Sequence, residues 1–127
     1  MRSPQDQISD AIRCGKLMED QIQEYLDLQE FKLDCLLKLK NVFPNQVLFV
    51  NFEEFVSENH SRIASKIARL IGFEPNIENY KHLNLFESKL NTNIRGYLSV
   101  KKLKEINQHN YYNLVQESLK FSIGVLE

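Results

Sequence analysis

The apolar residues of this chain recur mostly three or four positions apart, which is the spacing that places them on one face of an α-helix. Ser3 and Pro4 suit the start of the first helix as N-cap and first helical residue. Gly15 and Gly72 suit the ends of two helices. We therefore predict a mainly α-helical single domain over residues 1–127. The predicted helices cover residues 4–14, 17–42, 59–71, 99–106 and 109–124.

The predicted helix over residues 17–42 is the longest element, and its second half is apolar on more than one face. Helices that are apolar over so much of their circumference are usually buried on two sides. We therefore expect this helix to be covered on two sides.

One stretch has the pattern of a β-strand. Pro44 ends the long helix, and residues 46–52 then form a continuous run of Val, Leu and Phe that is too short for a helix. Such a run suits a strand buried on both faces of a parallel sheet, but the chain offers no second convincing strand. The predicted fold class is therefore mainly α with one short buried strand. That strand belongs to a sheet whose other strands lie elsewhere, or it pairs with a second copy.

Composition excludes several classes of protein. The 16 Lys and Arg residues nearly balance the 17 Asp and Glu residues, so no strong positive field is available to bind nucleic acid. No apolar run approaches the roughly 18 residues that span a bilayer, so we expect no membrane segment.

The cysteines and histidines do not form a metal site in sequence. Cys14 and Cys35 are far apart, which favours free, partly buried thiols over a disulfide and indicates a reducing compartment such as the cytoplasm. His60, His82 and His109 are scattered, so we expect each to lie at the surface or to cap a helix, with no bound metal.

No self-contained catalytic motif is present, but residues 43–73 resemble a known family. In sulfotransferases that use 3'-phosphoadenosine 5'-phosphosulfate (PAPS), a strand ends in a pattern close to Arg-Tyr-Glu-Asp-Leu, and the following helix ends in Phe-Leu-Gly. The resemblance implies that the chain is a carboxy-terminal fragment of an α/β, P-loop-like sulfotransferase fold. The matching residues are Asn51, Phe52, Glu53, Glu54 and Phe55, followed by Leu70, Ile71 and Gly72.

A second segment strengthens the resemblance. Residues 2–7 are similar to the family's Arg-x-Pro segment, in which a strand delivers an Arg, and the next helix a Ser, to the 3'-phosphate of the cofactor. The resemblance thus implies that Arg2 binds PAPS or its product 3',5'-adenosine bisphosphate, with Ser9 as a helper and Arg95 as a fainter phosphate contact. The family's Ser position is Asp10 here, which would repel a phosphate. A plain helix cap beside an unrelated Arg is the alternative interpretation of residues 2–4.

The family's 5'-phosphosulfate loop and catalytic base would precede residue 1. The parent reaction transfers a sulfuryl group from PAPS to a hydroxyl or amine, and we expect this chain alone to be inactive and to bind the nucleotide weakly or not at all. The competing hypothesis is a non-catalytic helical module that forms a homo-oligomer through helix 17–42 and strand 46–52.

Overall fold

The computed structural model describes residues 1–55, 60–74 and 98–122, and these are mainly α-helical, as predicted. No helix in these three ranges is both long enough and apolar enough to cross a bilayer. A short 3-10 helix at Glu19–Gln21 precedes the longest α-helix. The α-helices are α1 (Pro4–Arg13), α2 (Ile22–Val42), α3 (Phe52–Phe55), α4 (His60–Leu70), α5 (Val100–Gln108) and α6 (Asn110–Leu119).

Two glycines end helices as the sequence predicts. Gly15 and Gly72 have φ angles of +72° and +91°, a left-handed conformation that costs little only for glycine. Beyond each glycine the chain turns back, so that the Lys16 N–H donates to the carbonyl of Ala11 at 2.8 Å. The N–H of Phe73 donates in the same way to a carbonyl of α4, at 2.7 Å. These bonds satisfy carbonyls that have no partner inside the helix.

The core lies between α2 and α6. Four residues of α2 at helical spacing turn one face inward, where α6 packs through Tyr111 and Val115. Helix α1 contacts both α5 and α6 and adds Ile8, while α5 adds Ile106. Burying a large aliphatic side chain stabilises a fold by about 1.5–3 kcal/mol, so this shared cluster is the main source of stability. The buried α2 residues are Ile22, Leu26, Leu33 and Leu37.

The second apolar face of α2 points away from this core. Leu28, Phe31, Cys35, Leu39 and Val42 are all exposed among the described residues. The two-faced pattern predicted for helix 17–42 is therefore present, with one face covered by the chain and the other open.

The prediction of a strand over residues 46–52 is wrong. In the described part of the chain, residues 44–46 form a turn, residues 47–49 lack regular structure, and only Val50 makes an isolated bridge. A strand needs a ladder of hydrogen bonds to a neighbouring strand, and among the described residues the backbone–backbone bonds between this segment and a distant part of the chain are those to residue 1. Its apolar residues are nevertheless drawn inward, since Phe49 is buried in the core cluster and Val47 packs against it.

A lysine holds the turn that leads into this segment. The Lys40 ammonium donates to the carbonyl of Pro44 at 2.6 Å and to that of Val47 at 2.8 Å. These bonds tie the last turn of α2 to the chain that follows it. They satisfy two carbonyls that a strand ladder would otherwise have bound.

Other differences are small. Helix 17–42 begins as an α-helix only at Ile22, and the described part of the last helix ends at Leu119 rather than at 124. Cys14 and Cys35 are free thiols, but both are exposed rather than partly buried. Residues 75–97 and 123–127, which include His82 and Arg95, lie outside the described residues, as does the side chain of His60.

Candidate functional site

Residue 1 lies beside residues 50–52 in the manner of neighbouring parallel strands. The Met1 ammonium donates to the carbonyl of Val50, and the Phe52 N–H donates to the carbonyl of Met1 at 2.7 Å. In a parallel pair of strands, one residue forms its two hydrogen bonds to two residues of the neighbouring strand that are two positions apart, as Met1 does here. Both segments therefore run in the same direction, and each leads into a helix, α1 on one side and α3 on the other.

Arg2 follows directly after this pairing. Its guanidinium lies over the Phe52 ring, 4.8 Å from the centroid, and its Nη1 is 3.7 Å from a carboxylate oxygen of Asp10. Its own carbonyl accepts a hydrogen bond from Gln7 Nε2 at 2.6 Å. The guanidinium is thus held at the start of α1, with 22% of its side chain still exposed.

Asp10 occupies the place next to Arg2. Its carboxylate also pairs with Arg13, and the hydrogen bond from Arg13, with the charges of Arg13 and Arg2, holds the pKa of Asp10 below its ordinary value. Asp10 is therefore ionised at neutral pH and neutralises part of the positive charge at this point. An anionic ligand would have to compete with it for Arg2.

Ser9 does not share this surface. Its side chain is fully buried, and its hydroxyl has no hydrogen-bond partner among the described residues. It lies on the core side of α1 with Ile8, so it cannot reach a phosphate at Arg2 in this conformation. Of the two proposed phosphate contacts that the structure describes, Arg2 and Ser9, only Arg2 has a partly exposed polar group. Arg95 lies outside the described residues.

Gln7 is a hub that the sequence did not single out. Its Oε1 accepts hydrogen bonds from the hydroxyls of Tyr25 and Tyr111, both at 3.0 Å, while its Nε2 donates to the Arg2 carbonyl. Burial raises the pKa of both tyrosines above the ordinary value, and the neighbouring Tyr111 contributes to the shift at Tyr25. One amide thus ties α1, α2 and α6 together and fixes the backbone that carries Arg2.

The signal for this hub was present in the sequence. Both Tyr25 and Tyr111 fall within apolar helical stripes, and a buried tyrosine hydroxyl usually needs a partner. Gln7 lies one position before Ile8 on the first helix, but a lone glutamine on an amphipathic helix gives no reason to expect burial.

A second polar cluster joins α2 and α6. His109 Nδ1 accepts the Tyr111 N–H at 3.0 Å and so caps α6, and its Nε2 lies 2.8 Å from an oxygen of Asp27. Asn110 donates to Glu30 at 2.9 Å in the same place. Helix capping is one of the two roles, surface or cap, that the sequence predicted for this histidine.

The donor set of this cluster does not suit a metal ion. Potential ligand atoms of Asp27, Glu30 and His109 lie within 4.8 Å of one another. However, the Nδ1 lone pair is used by the helix cap, so the neutral ring carries its proton on Nε2 and donates it to Asp27. A metal at Nε2 would require loss of that proton and of the bond to Asp27. The cluster is therefore best described as a tie between the two helices.

In comparisons with known proteins, no protein-family model, no curated protein and no solved structure matches this chain.

Proposed function

We propose that this chain is a carboxy-terminal portion of a PAPS-dependent sulfotransferase-like domain and that Arg2 binds the 3'-phosphate of the nucleotide. The observation that carries the proposal is the parallel pairing of residue 1 with residues 50–52. The resemblance assigns these two segments to strands of one parallel sheet, and they lie side by side here although about 50 residues separate them.

The position of Arg2 supports a ligand-binding role. Ligands of open parallel α/β sheets bind beyond the carboxyl ends of the strands, where helices begin. Arg2 comes immediately after the paired residue and just before α1. A guanidinium at this point offers directed donors that match a phosphate, and stacking on Phe52 holds its plane.

The spacing along α1 also supports the family alignment. The family has a Ser eight residues after its Arg, and the residue at that position here, Asp10, is the one that faces Arg2. The register of the helix therefore suits the alignment, while the side chain differs. Because a carboxylate in this place competes with phosphate for Arg2, we propose weak binding in which the nucleotide displaces Asp10.

The proposal covers nucleotide binding and leaves sulfuryl transfer, from PAPS to a hydroxyl or amine, to the parent family. Arg95 stays a proposed second phosphate contact. The free, exposed thiols of Cys14 and Cys35 suit a reducing compartment, and we propose the cytoplasm.

Calorimetric titration with 3',5'-adenosine bisphosphate tests the proposal, with 5'-AMP as the ligand that lacks the 3'-phosphate. We expect saturable binding of the bisphosphate and much weaker binding of 5'-AMP. Arg2→Ala should reduce affinity about 10-fold or more, because a charge-assisted phosphate contact contributes about 1.5–3 kcal/mol. Asp10→Asn should instead increase affinity, because it removes the competing charge.

Arg13→Ala is the matched control, since Arg13 pairs with the same carboxylate but extends from the other end of α1. It should not weaken binding as Arg2→Ala does. Equal affinity for the two nucleotides, or a bisphosphate affinity that Arg2→Ala leaves unchanged, would contradict the proposed site.

A further inference from the structure

The open face of α2 is a regular apolar stripe, formed by Leu28, Phe31, Cys35, Leu39 and Val42. At 100° per residue, the five positions fall within about 80° of the helix circumference. Phe31 and Val42 are 68% and 67% exposed, which is unusual for large apolar side chains aligned on one helix. The stripe lies opposite the α2 face that packs on α6, so it is separate from the core and from Arg2.

The spacing of the stripe is symmetric about its centre. The intervals along the chain are three, four, four and three residues, with Cys35 in the middle. If a second α2 packs antiparallel with Cys35 opposite Cys35, Leu28 falls level with Val42, and Phe31 with Leu39. A two-fold interface requires this mutual correspondence, in which one residue contacts a second and the second contacts the first.

The charges beside the stripe suit the same arrangement. Asp34 and Lys38 lie on one flank of the stripe and form an ion pair at 2.8 Å within the chain. In the antiparallel pair each Lys38 comes within about 3 Å, along the helix axis, of Asp34 in the second copy, from the rise of about 1.5 Å per residue. Four charges would then alternate in sign around the two-fold axis. Antiparallel helix dipoles also attract.

A parallel pair would form a different charge contact, because Asp34 would come within about 3 Å, along the helix axis, of Lys32 in the second copy. Parallel packing sets each flank of the stripe against the opposite flank of the second copy. Lys38 would then lie beside the apolar flank that includes Leu36 and Leu39, without Asp34 of the second copy nearby. The symmetric spacing of the stripe and the attraction between antiparallel helix dipoles therefore assign the antiparallel orientation.

We propose that the partner of this face is a second copy of the chain, packed through antiparallel α2 helices with Cys35 on the two-fold axis. This proposal goes beyond nucleotide binding and does not depend on it. It also narrows the self-association expected from the sequence, because residues 46–52 form no strand that could be shared.

Sedimentation equilibrium of the full chain tests the dimer. The unaltered chain should form a concentration-dependent dimer. Phe31→Glu should raise the dissociation constant at least about 100-fold, because a buried aromatic near an interface centre contributes strongly and occurs twice here. Val100→Glu is the matched control, since Val100 is 79% exposed on α5 and lies outside the stripe. It should leave the dimer unchanged. A chain that stays monomeric at its highest soluble concentration would overturn the proposal.

The charge pattern has its own test. Lys38→Glu should weaken the dimer about 10-fold, because it turns two exposed attractive charge pairs into repulsive ones. Exchanging the two residues in the double variant Asp34→Lys, Lys38→Asp should restore the affinity, since it rebuilds every pair with reversed sign. A Lys38→Glu variant that dimerises as well as the unaltered chain would contradict the proposed orientation.

Cysteine cross-linking locates the axis. Helices packed about 9–10 Å apart, with Cα atoms about 2.3 Å from each axis, bring the two Cys35 Cα atoms to about 4.4–5.4 Å. A disulfide spans this distance, its usual range being about 4.4–6.8 Å. The oxidant diamide should therefore link Cys14→Ser chains rapidly through Cys35. Cys35→Ser chains, which keep the exposed Cys14, are the control and should link slowly. Equal rates for the two variants would overturn the proposed axis.

Orientation is then decided in a background with Cys14→Ser and Cys35→Ser. Phe31→Cys chains mixed with Leu39→Cys chains should form the mixed disulfide, because these positions are level in the antiparallel pair. Preferential linking of each variant to itself would show a parallel pair and overturn the assigned orientation.

Discussion

Gln7→Met is the substitution that tests most directly how the helices are joined. It keeps the length of the side chain and removes the amide that accepts from Tyr25 and Tyr111 and donates to the Arg2 carbonyl. Each such bond contributes about 0.5–1.5 kcal/mol net, and leaving a buried hydroxyl unsatisfied costs about 1–3 kcal/mol. Tyr111 is 3% exposed and bears that cost in full, whereas the half-buried Tyr25 can bond to water. We therefore expect a loss of about 2–4 kcal/mol.

Urea unfolding followed by far-UV circular dichroism measures this loss as a lower midpoint with an unchanged slope. Gln5→Met is the matched control, because the Gln5 amide lies on the same helix and donates to the exposed Asn107. It should cost less than about 0.5 kcal/mol, as surface changes usually do. If the two substitutions destabilise the chain equally, the hub described for Gln7 is wrong.

Three further predictions concern single side chains. Burial raises the pKa of Tyr25 and Tyr111 in the folded chain, so the stability that their neutral hydroxyls contribute is present below about pH 10 and is lost as the pH rises through the raised pKa values. The urea midpoint should therefore fall at alkaline pH, and it should fall less in Tyr25→Phe chains. Ser9→Ala should leave the stability unchanged or raise it by up to about 1 kcal/mol, because it removes a buried hydroxyl without a partner among the described residues. A loss of stability of more than about 1 kcal/mol in thermal unfolding would refute this. His109→Ala should cost about 0.5–2 kcal/mol through the lost cap of α6, and His109→Asn should recover part of it; equal stability of the two variants would argue against the cap.

The helices could be predicted because they depend on local sequence. Spacing alone gave α2 with its two apolar faces, and the glycines at 15 and 72 gave two helix ends. Whether residues 46–52 form a strand could not be predicted in the same way, since a strand depends on backbone partners that are far away in sequence. Residues 46–52 have the composition of a strand, but among the described residues residue 1 is the one distant residue whose backbone bonds to theirs, so no ladder forms there.

The candidate site was predictable in part. The resemblance indicated Arg2 as a phosphate ligand and Asp10 as a carboxylate that would repel a phosphate. The structure places these two side chains together. The resemblance could not show that Ser9 turns inward, because a difference of one residue on a helix rotates a side chain by about 100°. The role of Gln7 depends on three helices meeting at one point, which no local pattern contains.

NMR titration of the Arg2 side-chain Nε–H with 3',5'-adenosine bisphosphate tests the central proposal most directly. A bound 3'-phosphate should shift this resonance and the nearby Phe52 N–H saturably and with the same affinity, while 5'-AMP should leave both unmoved at equal concentration. Resonances of Arg2 and Phe52 that do not move, or that move equally with both nucleotides, would contradict a 3'-phosphate site at the start of α1.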